Sequence, residues 1–186
     1  MKRLFSTMGL ALLLLVGGLS GSASAQDVDA KVVAQVNDLL SGFEYTPKKA
    51  DWDQIGPQAA QVLKKIAADA TARETLRGRA ISSLSYFPEA DTQSFLTGLA
   101  VEDTQPVLLR RKALRSLAFG FGPGAVETIK PFLGHADQRL RESAVVSLGL
   151  VKTDEARELL KGRLSVEPTA YLKETIQKTL AEMGKE

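Results

Sequence analysis

The chain has 186 residues, with 24 Lys and Arg against 22 Asp and Glu, no cysteine, and a single histidine and tryptophan. That length suffices for one domain burying roughly two-thirds of its unfolded surface. Without cysteine there is neither a disulfide framework nor thiolate chemistry, and the near balance of charge gives no bulk attraction to nucleic acid, so any anion site must be a local patch.

Residues 1–25 read as a secretory leader. Lys2 and Arg3 form the basic start, GLALLLLVGGL from Gly9 to Leu19 the apolar stretch, and Ala23-Ser24-Ala25 the cleavage signal. Gly17, Gly18, Ser20, Gly21 and Ser22 cut the apolar run short of the about 20 residues that a spanning helix needs. Cleavage after Ala25 makes Gln26 the mature terminus and leaves no membrane span. Removing Lys2 and Arg3 leaves 22 basic residues against 22 acidic ones. The layout suits bacterial signal peptidase, so the expected location is periplasmic or secreted, and no cysteine is present for lipid attachment.

Residues 26–50 are expected to be a capping helix and loop. Val28, Val32, Val36 and Leu39 share a helical face over Val28–Leu40, with Asp27 as N-cap, and the helix should cover the domain that follows. SGFEYTPKKADWDQIGP then reads as a loop, because Gly42, Pro47, Gly56 and Pro57 punctuate it and no helical stripe survives. Trp52, inside that loop, is expected to pack against the cap.

From residue 51 to the end, one string recurs. LRGRAISSLS at Leu76, LRRKALRSLA at Leu109, LRESAVVSLG at Leu140 and LKETIQKTLA at Leu172 all fit L-[RK]-x-x-[AI]-x-x-[ST]-L-[AGS]. Positions 1, 5 and 9 form one helical stripe and should face inward. The starts are 33, 31 and 32 residues apart, in the range that marks a stacked solenoid. A partner helix should precede each: Leu63, Leu96, Ile129 and Leu160 form one aligned apolar column, and Ile66, Leu99, Phe132 and Arg163 a second. Arg163 breaks that column, so the last repeat is expected to expose this edge as a capping unit. Lys65, Gly98, Pro131 and Gly162 form a third column, and with three poor helix formers there the first helix of each unit is expected to bend. The prediction is all-α: a single right-handed α-solenoid of four helix pairs preceded by the N-terminal helix.

These strings resemble the HEAT repeat family, including the HEAT-like repeats of the phycobilin lyases. There a helix A, often kinked at a proline, precedes a helix B that opens with a V/L-R-x-x-A string; IKPFLGHADQRLRESAVVSLG, Ile129–Gly149, is the segment that matches best. The resemblance covers residues 53–183. It implies that the second-position Arg77, Arg110, Arg141 and Lys173 pair with a turn carboxylate, but His135 occupies the aligned turn position of the third unit, with Asp137 nearby, so that ladder should be irregular. The tryptophan and Leu-Gly pair of tetratricopeptide repeats and the T-P-L-H string of ankyrin repeats are both absent.

Parts for catalysis are missing. His135 is alone in a turn, where solvation or capping of helix B suits it better than general base work, and no His, Asp and Glu residues share metal-ligand spacing, so neither a cofactor nor a metal is expected. GFGPG at Gly120 lacks the lysine and Ser/Thr of a phosphate loop and reads as a turn between repeats. Recognition is the expected role, because stacked pairs present an extended concave face lined by helix B. The candidate contact residues are Arg111, Lys112 and Arg115 of the second repeat, whose aligned residues in the third are Glu142, Ser143 and Val146 and which therefore hold no repeated structural post. With Arg77, Arg79, Arg139 and Arg141 nearby, they form a basic ridge suited to an acidic protein or peptide segment, against the plain alternative of a solvated helix face. The expectation is a monomeric, exported, non-catalytic scaffold or adaptor. The alternatives are a brace in an envelope assembly and, implied by the lyase resemblance alone, an accessory factor in cofactor maturation; the lyases act in the cytoplasm, which sits poorly with a leader.

Overall fold

The structure, a computed structural model, describes residues 29–42 and 45–184. The leader, Gln26, Asp27 and Val28 lie outside the described residues. Among those described, every regular element is a helix.

Helix α1 spans Ala30–Ser41, and its N-cap is Asp29, not Asp27: the Asp29 carboxylate accepts the Lys31 amide at 2.8 Å. Val36 and Leu40 are its buried residues, while Val32 and Leu39 pack at the edge of the core. The expected loop that follows contains a short helix, α2, over Lys49–Ile55. Asp51 secures its start by accepting the Lys48 backbone N–H at 2.7 Å and the Tyr45 hydroxyl at 2.6 Å. Trp52 is its single buried residue, 1% exposed, and meets Phe87 edge-on with ring centroids 6.1 Å apart. Pro47 and Gly56 flank this helix without entering it, which is why the punctuation concealed it.

Four helix pairs follow. The first is α3 (Gln58–Ala68) with α4 (Glu74–Ser83), which runs on into a 3-10 turn at Leu84–Tyr86. The second is α5 (Ala90–Val101) with α6 (Val107–Phe121). The third is α7 (Val126–Ile129), continued by a 3-10 turn at Lys130–Gly134, with α8 (Gln138–Val151). The fourth is α9 (Asp154–Val166) with α10 (Ala170–Met183). The repeated stripe faces the core as expected, with Leu109, Leu140 and Leu172 fully buried and Leu76, which opens it in the first pair, partly exposed; positions 5 and 9 and the partner-helix column follow. Ala80, Ala113, Ala144 and Ile176 are fully buried, as are Leu84, Leu117 and Leu148, and only Leu180, in the terminal pair, is partly exposed. Leu63, Leu96, Ile129 and Leu160 are fully buried on the partner helices.

Two expectations fail. Only the third unit bends at the third column, where Pro131 cannot supply an N–H and the α-helix gives way to a 3-10 turn. Gly98 and Gly162 sit inside unbroken helices. An added Cβ there would meet nothing within 4 Å, so these glycines only lower helix propensity. Arg163 also does not leave an open edge: its side chain is 16% exposed and folds back onto Glu167.

The second helices of the pairs approach one another more closely than the first helices do. α4, α6, α8 and α10 pack in succession, whereas the outer helices touch sparsely. Small residues allow this approach. Ser83, Ser116, Ser147 and Thr179 are all buried between neighbouring helices, and the Ser116 hydroxyl donates to the Ile81 carbonyl of the preceding pair at 2.9 Å. A Cβ on Gly120 would lie 2.7 Å from the Ser85 carbonyl oxygen. Close packing on one side and splaying on the other curve the stack, and the α4–α6–α8–α10 layer is its concave side.

Candidate concave binding face

The repeated arginines do not point into the concave face. Arg77, Arg110 and Arg141 are 7%, 5% and 8% exposed, and each joins its own unit to the next. Arg77 donates from Nε to the Ala67 carbonyl and from Nη2 to Gln105 Oε1 at 2.8 Å. Arg110 donates from Nε to the Ala100 carbonyl, pairs with Asp103 at 2.7 Å, and lies over the Phe132 ring at 5.8 Å. Arg141 donates to the His135 and Ala136 carbonyls and pairs with Glu167. Among the described residues, Arg110 pairs with the carboxylate of its own unit's turn, Arg141 with that of the next unit's turn, and Arg77 with an amide, so the ladder is irregular as expected. His135 stacks on Phe132 and accepts the Asp137 amide at Nδ1, a turn role, and the Asp137 carboxylate accepts the Arg139 amide at the start of α8. Among the described residues, no three His, Cys, Asp or Glu side chains are grouped so as to hold a metal ion.

The three residues singled out on α6 separate in the structure. Arg111 is engaged: its Nε donates to Ser143 Oγ at 3.0 Å and its guanidinium lies 3.6 Å from Glu142, so it braces the third pair. Its partners lie 31 and 32 residues away and are the residues that the alignment sets opposite Arg111 and Lys112 in the third repeat. Arg115 is exposed, one helical turn beyond Lys112. Lys112 is half-buried, with its stem running over Gly78 of α4 at 3.8 Å from the position a Cβ would take. Burial pushes the Lys112 ammonium below the ordinary lysine range, and Arg115 and then Arg111 add to the push. Among the described residues, no carboxylate comes within 4 Å of its Nζ.

Lys112 opens into a cleft of about 230 Å³ lined on one side by Arg79, Ser82, Ser83 and Tyr86 of the first pair, and on the other by Tyr45, Thr46 and Pro47. Arg79 holds that second wall in place, donating from Nη2 to the Gly42 carbonyl at 2.6 Å and to the Tyr45 carbonyl at 2.8 Å. Tyr86 meets Phe119 edge-on at 5.7 Å, and Phe119 is 61% exposed. Tyr86, Phe119 and the exposed Leu150 occupy one aligned column, two residues past the second leucine of each string. Extending the alignment by that distance would have exposed this apolar line; the Tyr45–Pro47 wall has no repeat to betray it. The concave face thus combines a basic cleft, an exposed arginine and an aromatic–aliphatic line.

Residues 100–181 match the family model for HEAT repeats. No curated protein matches the chain in sequence. Among solved structures, the chain is similar to a chain of the CpcE and CpcF complex of phycocyanin lyase from Nostoc sp. PCC7120, with a TM-score of 0.55 and 18% identity over 79% of this chain and 98% of that one. It is also similar to a designed armadillo repeat protein in complex with the peptide (KR)4, with a TM-score of 0.52 and 16% identity over 81% of this chain and 73% of that one. A computationally designed armadillo protein for modular peptide recognition gives a TM-score of 0.51 at 15% identity, over 81% and 73% of the two chains. The chain is therefore an all-α solenoid of the HEAT and armadillo type, and its second half matches HEAT repeats in sequence as well.

Proposed function

We propose that this solenoid is an exported, non-catalytic scaffold or adaptor that binds an acidic segment of another protein on its concave face. The observation carrying the reading is the half-buried Lys112, with no carboxylate of the described residues within 4 Å of its Nζ, beside the exposed Arg115 on a face that also presents Phe119 and Leu150. A desolvated cation without a counter-ion costs free energy that a partner carboxylate recovers on binding. One protein similar in fold is described in complex with the peptide (KR)4, which supports peptide binding as a use of such a solenoid; the acidic character of the segment proposed here rests on Lys112 and Arg115 alone. Arg111, Lys112 and Arg115 were the residues expected to make the contact. Arg111 is tied to Ser143 and Glu142 of the third pair, which leaves the contact to Lys112 and Arg115.

The test is capture from envelope extract by the purified protein and by an Arg111→Glu, Lys112→Glu, Arg115→Glu variant of matching circular dichroism. The variant should lose the partners, and binding by the parent should weaken as salt rises. Equal capture by two folded proteins removes the basic face as the binding surface. Export is tested separately by sequencing the terminus of the protein as the cell makes it: Gln26 is expected, and retained Met1 on a membrane-bound product reverses the localisation.

A further inference from the structure

We infer that the cleft around Lys112 is a stop at one end of the concave face, built to hold the C-terminal carboxylate of the bound polypeptide. This deepens the reading above, and rests on it, by assigning which carboxylate the buried ammonium meets.

The concave face is open across α6, α8 and α10, but over α4 it is closed. The Tyr45–Pro47 segment lies against Arg79, Ser82 and Tyr86, the residues that α4 would otherwise present to a ligand. Both ends of the contact are fixed. Arg79 binds the Gly42 and Tyr45 carbonyls, and the Tyr45 hydroxyl is tied to Asp51 at the start of α2, whose Trp52 is locked in the core. An extended chain crossing the helices from the α10 end therefore meets a wall at the first pair. Its last residue comes to rest beside Lys112, and a volume of about 230 Å³ accommodates one or two residues.

The chemistry of the cleft matches a chain end. It offers the Lys112 ammonium, the Arg79 guanidinium and the Ser83 hydroxyl, and no carboxylate of the described residues lines it. The Ser82 hydroxyl already donates to the Gly78 carbonyl at 3.0 Å, so its proton is not free for an anion and the ammonium carries it. Tyr86 and the neighbouring Phe119 supply an apolar surface for the side chains just before the terminus. An internal Asp or Glu would have to carry the chain onward on both sides, through the wall. A terminal carboxylate does not.

The experiment uses two pools of random heptapeptides, identical except that one ends in free carboxylates and the other in amides, passed over the immobilised protein and identified by mass spectrometry. Free-carboxylate peptides should be retained at least tenfold more than their amides, and Lys112→Met should remove that preference, while Arg115→Met should weaken both pools alike. Because Glu44 precedes Tyr45 in the sequence, the comparison is repeated with Glu44→Gln, where no carboxylate of the neighbouring segment competes; the same preference is expected. Equal retention of the two pools in both backgrounds, or a preference that survives Lys112→Met, overturns the stop. The wider reading is scored independently: acidic sequences enriched equally in both pools keep the acidic-segment role and discard the terminal one, whereas a terminal preference without acidic enrichment does the reverse.

Discussion

The guanidinium of Arg141 meets the carboxylate of Glu167 with two parallel hydrogen bonds, Nε to Oε2 and Nη2 to Oε1, each 3.1 Å long. Glu167 lies in the turn before α10 and its side chain is fully buried, with Arg163 donating to it from the other side and the Thr169 amide completing the shell. One carboxylate thereby ties the third pair to the fourth.

Removing that carboxylate leaves two buried guanidiniums without their counter-ion, so Glu167→Gln should cost about 3–5 kcal/mol in chemical denaturation. A loss below about 1 kcal/mol would mean that water reaches the site and screens it.

Acid should loosen the same joint. Burial works to raise the Glu167 pKa, but the hydrogen bonds from Arg141, Arg163 and Thr169 overcome it and hold the pKa at about 2 instead of the ordinary 4.5. A depressed folded-state pKa means that the stabilisation is complete above about 4.5 and is lost as pH falls from there toward about 2. Asp137, held at about 2 chiefly by the Arg139 hydrogen bond, adds to the same window. Stability measured between pH 7 and pH 3 should fall at the acid end, and Glu167→Gln should flatten that fall.

Leu148 is fully buried with a pair on either side, whereas Leu180 is partly exposed in the last pair. Leu148→Ala should cost about 2–5 kcal/mol in urea melts and Leu180→Ala clearly less. Equal losses would contradict a terminal, one-sided packing role for α10.

Two glycines should respond oppositely to alanine. Gly120→Ala drives a methyl to 2.7 Å from the Ser85 carbonyl oxygen, a backbone atom that cannot swing aside, and should destabilise by about 1–3 kcal/mol. Gly98→Ala, on α5 with nothing within 4 Å of the new Cβ, should stabilise by up to about 1 kcal/mol. Differential scanning calorimetry of the two variants reads both signs.

What was legible in the sequence was whatever repeats. Leu117 and Leu148 could be placed in the core, and Arg77, Arg110 and Arg141 at one post, because the period lines them up and burial follows the helical stripe. Features with no repeat to align were invisible or misread. The helix around Trp52 is too short to show a stripe. Gly98 and Gly162 aligned with Pro131 and so suggested a shared bend, yet only proline lacks the donor that makes one. Arg163 looked like a gap in an apolar column because its partner, Glu167, stands in the turn column, which the apolar stripe does not reveal. Lys112 was picked out for its charge, but the cleft that gives it a purpose depends on Tyr45–Pro47, a segment brought there by the fold.

The three inter-unit arginine contacts differ in kind: Arg77 reaches an amide at Gln105, Arg110 an aromatic face at Phe132, and Arg141 a carboxylate at Glu167. In an array of near-identical units, any unit can in principle stack on any other, and a nascent chain can skip one or exchange it with a second molecule. Giving each joint its own lock makes the wrong neighbour leave an arginine unsatisfied in a buried place, which raises the energy of every mis-stacked order above the native one. The irregular ladder thus makes each of these three joints chemically distinct, so that none of the three arginines finds the same partner type at another joint.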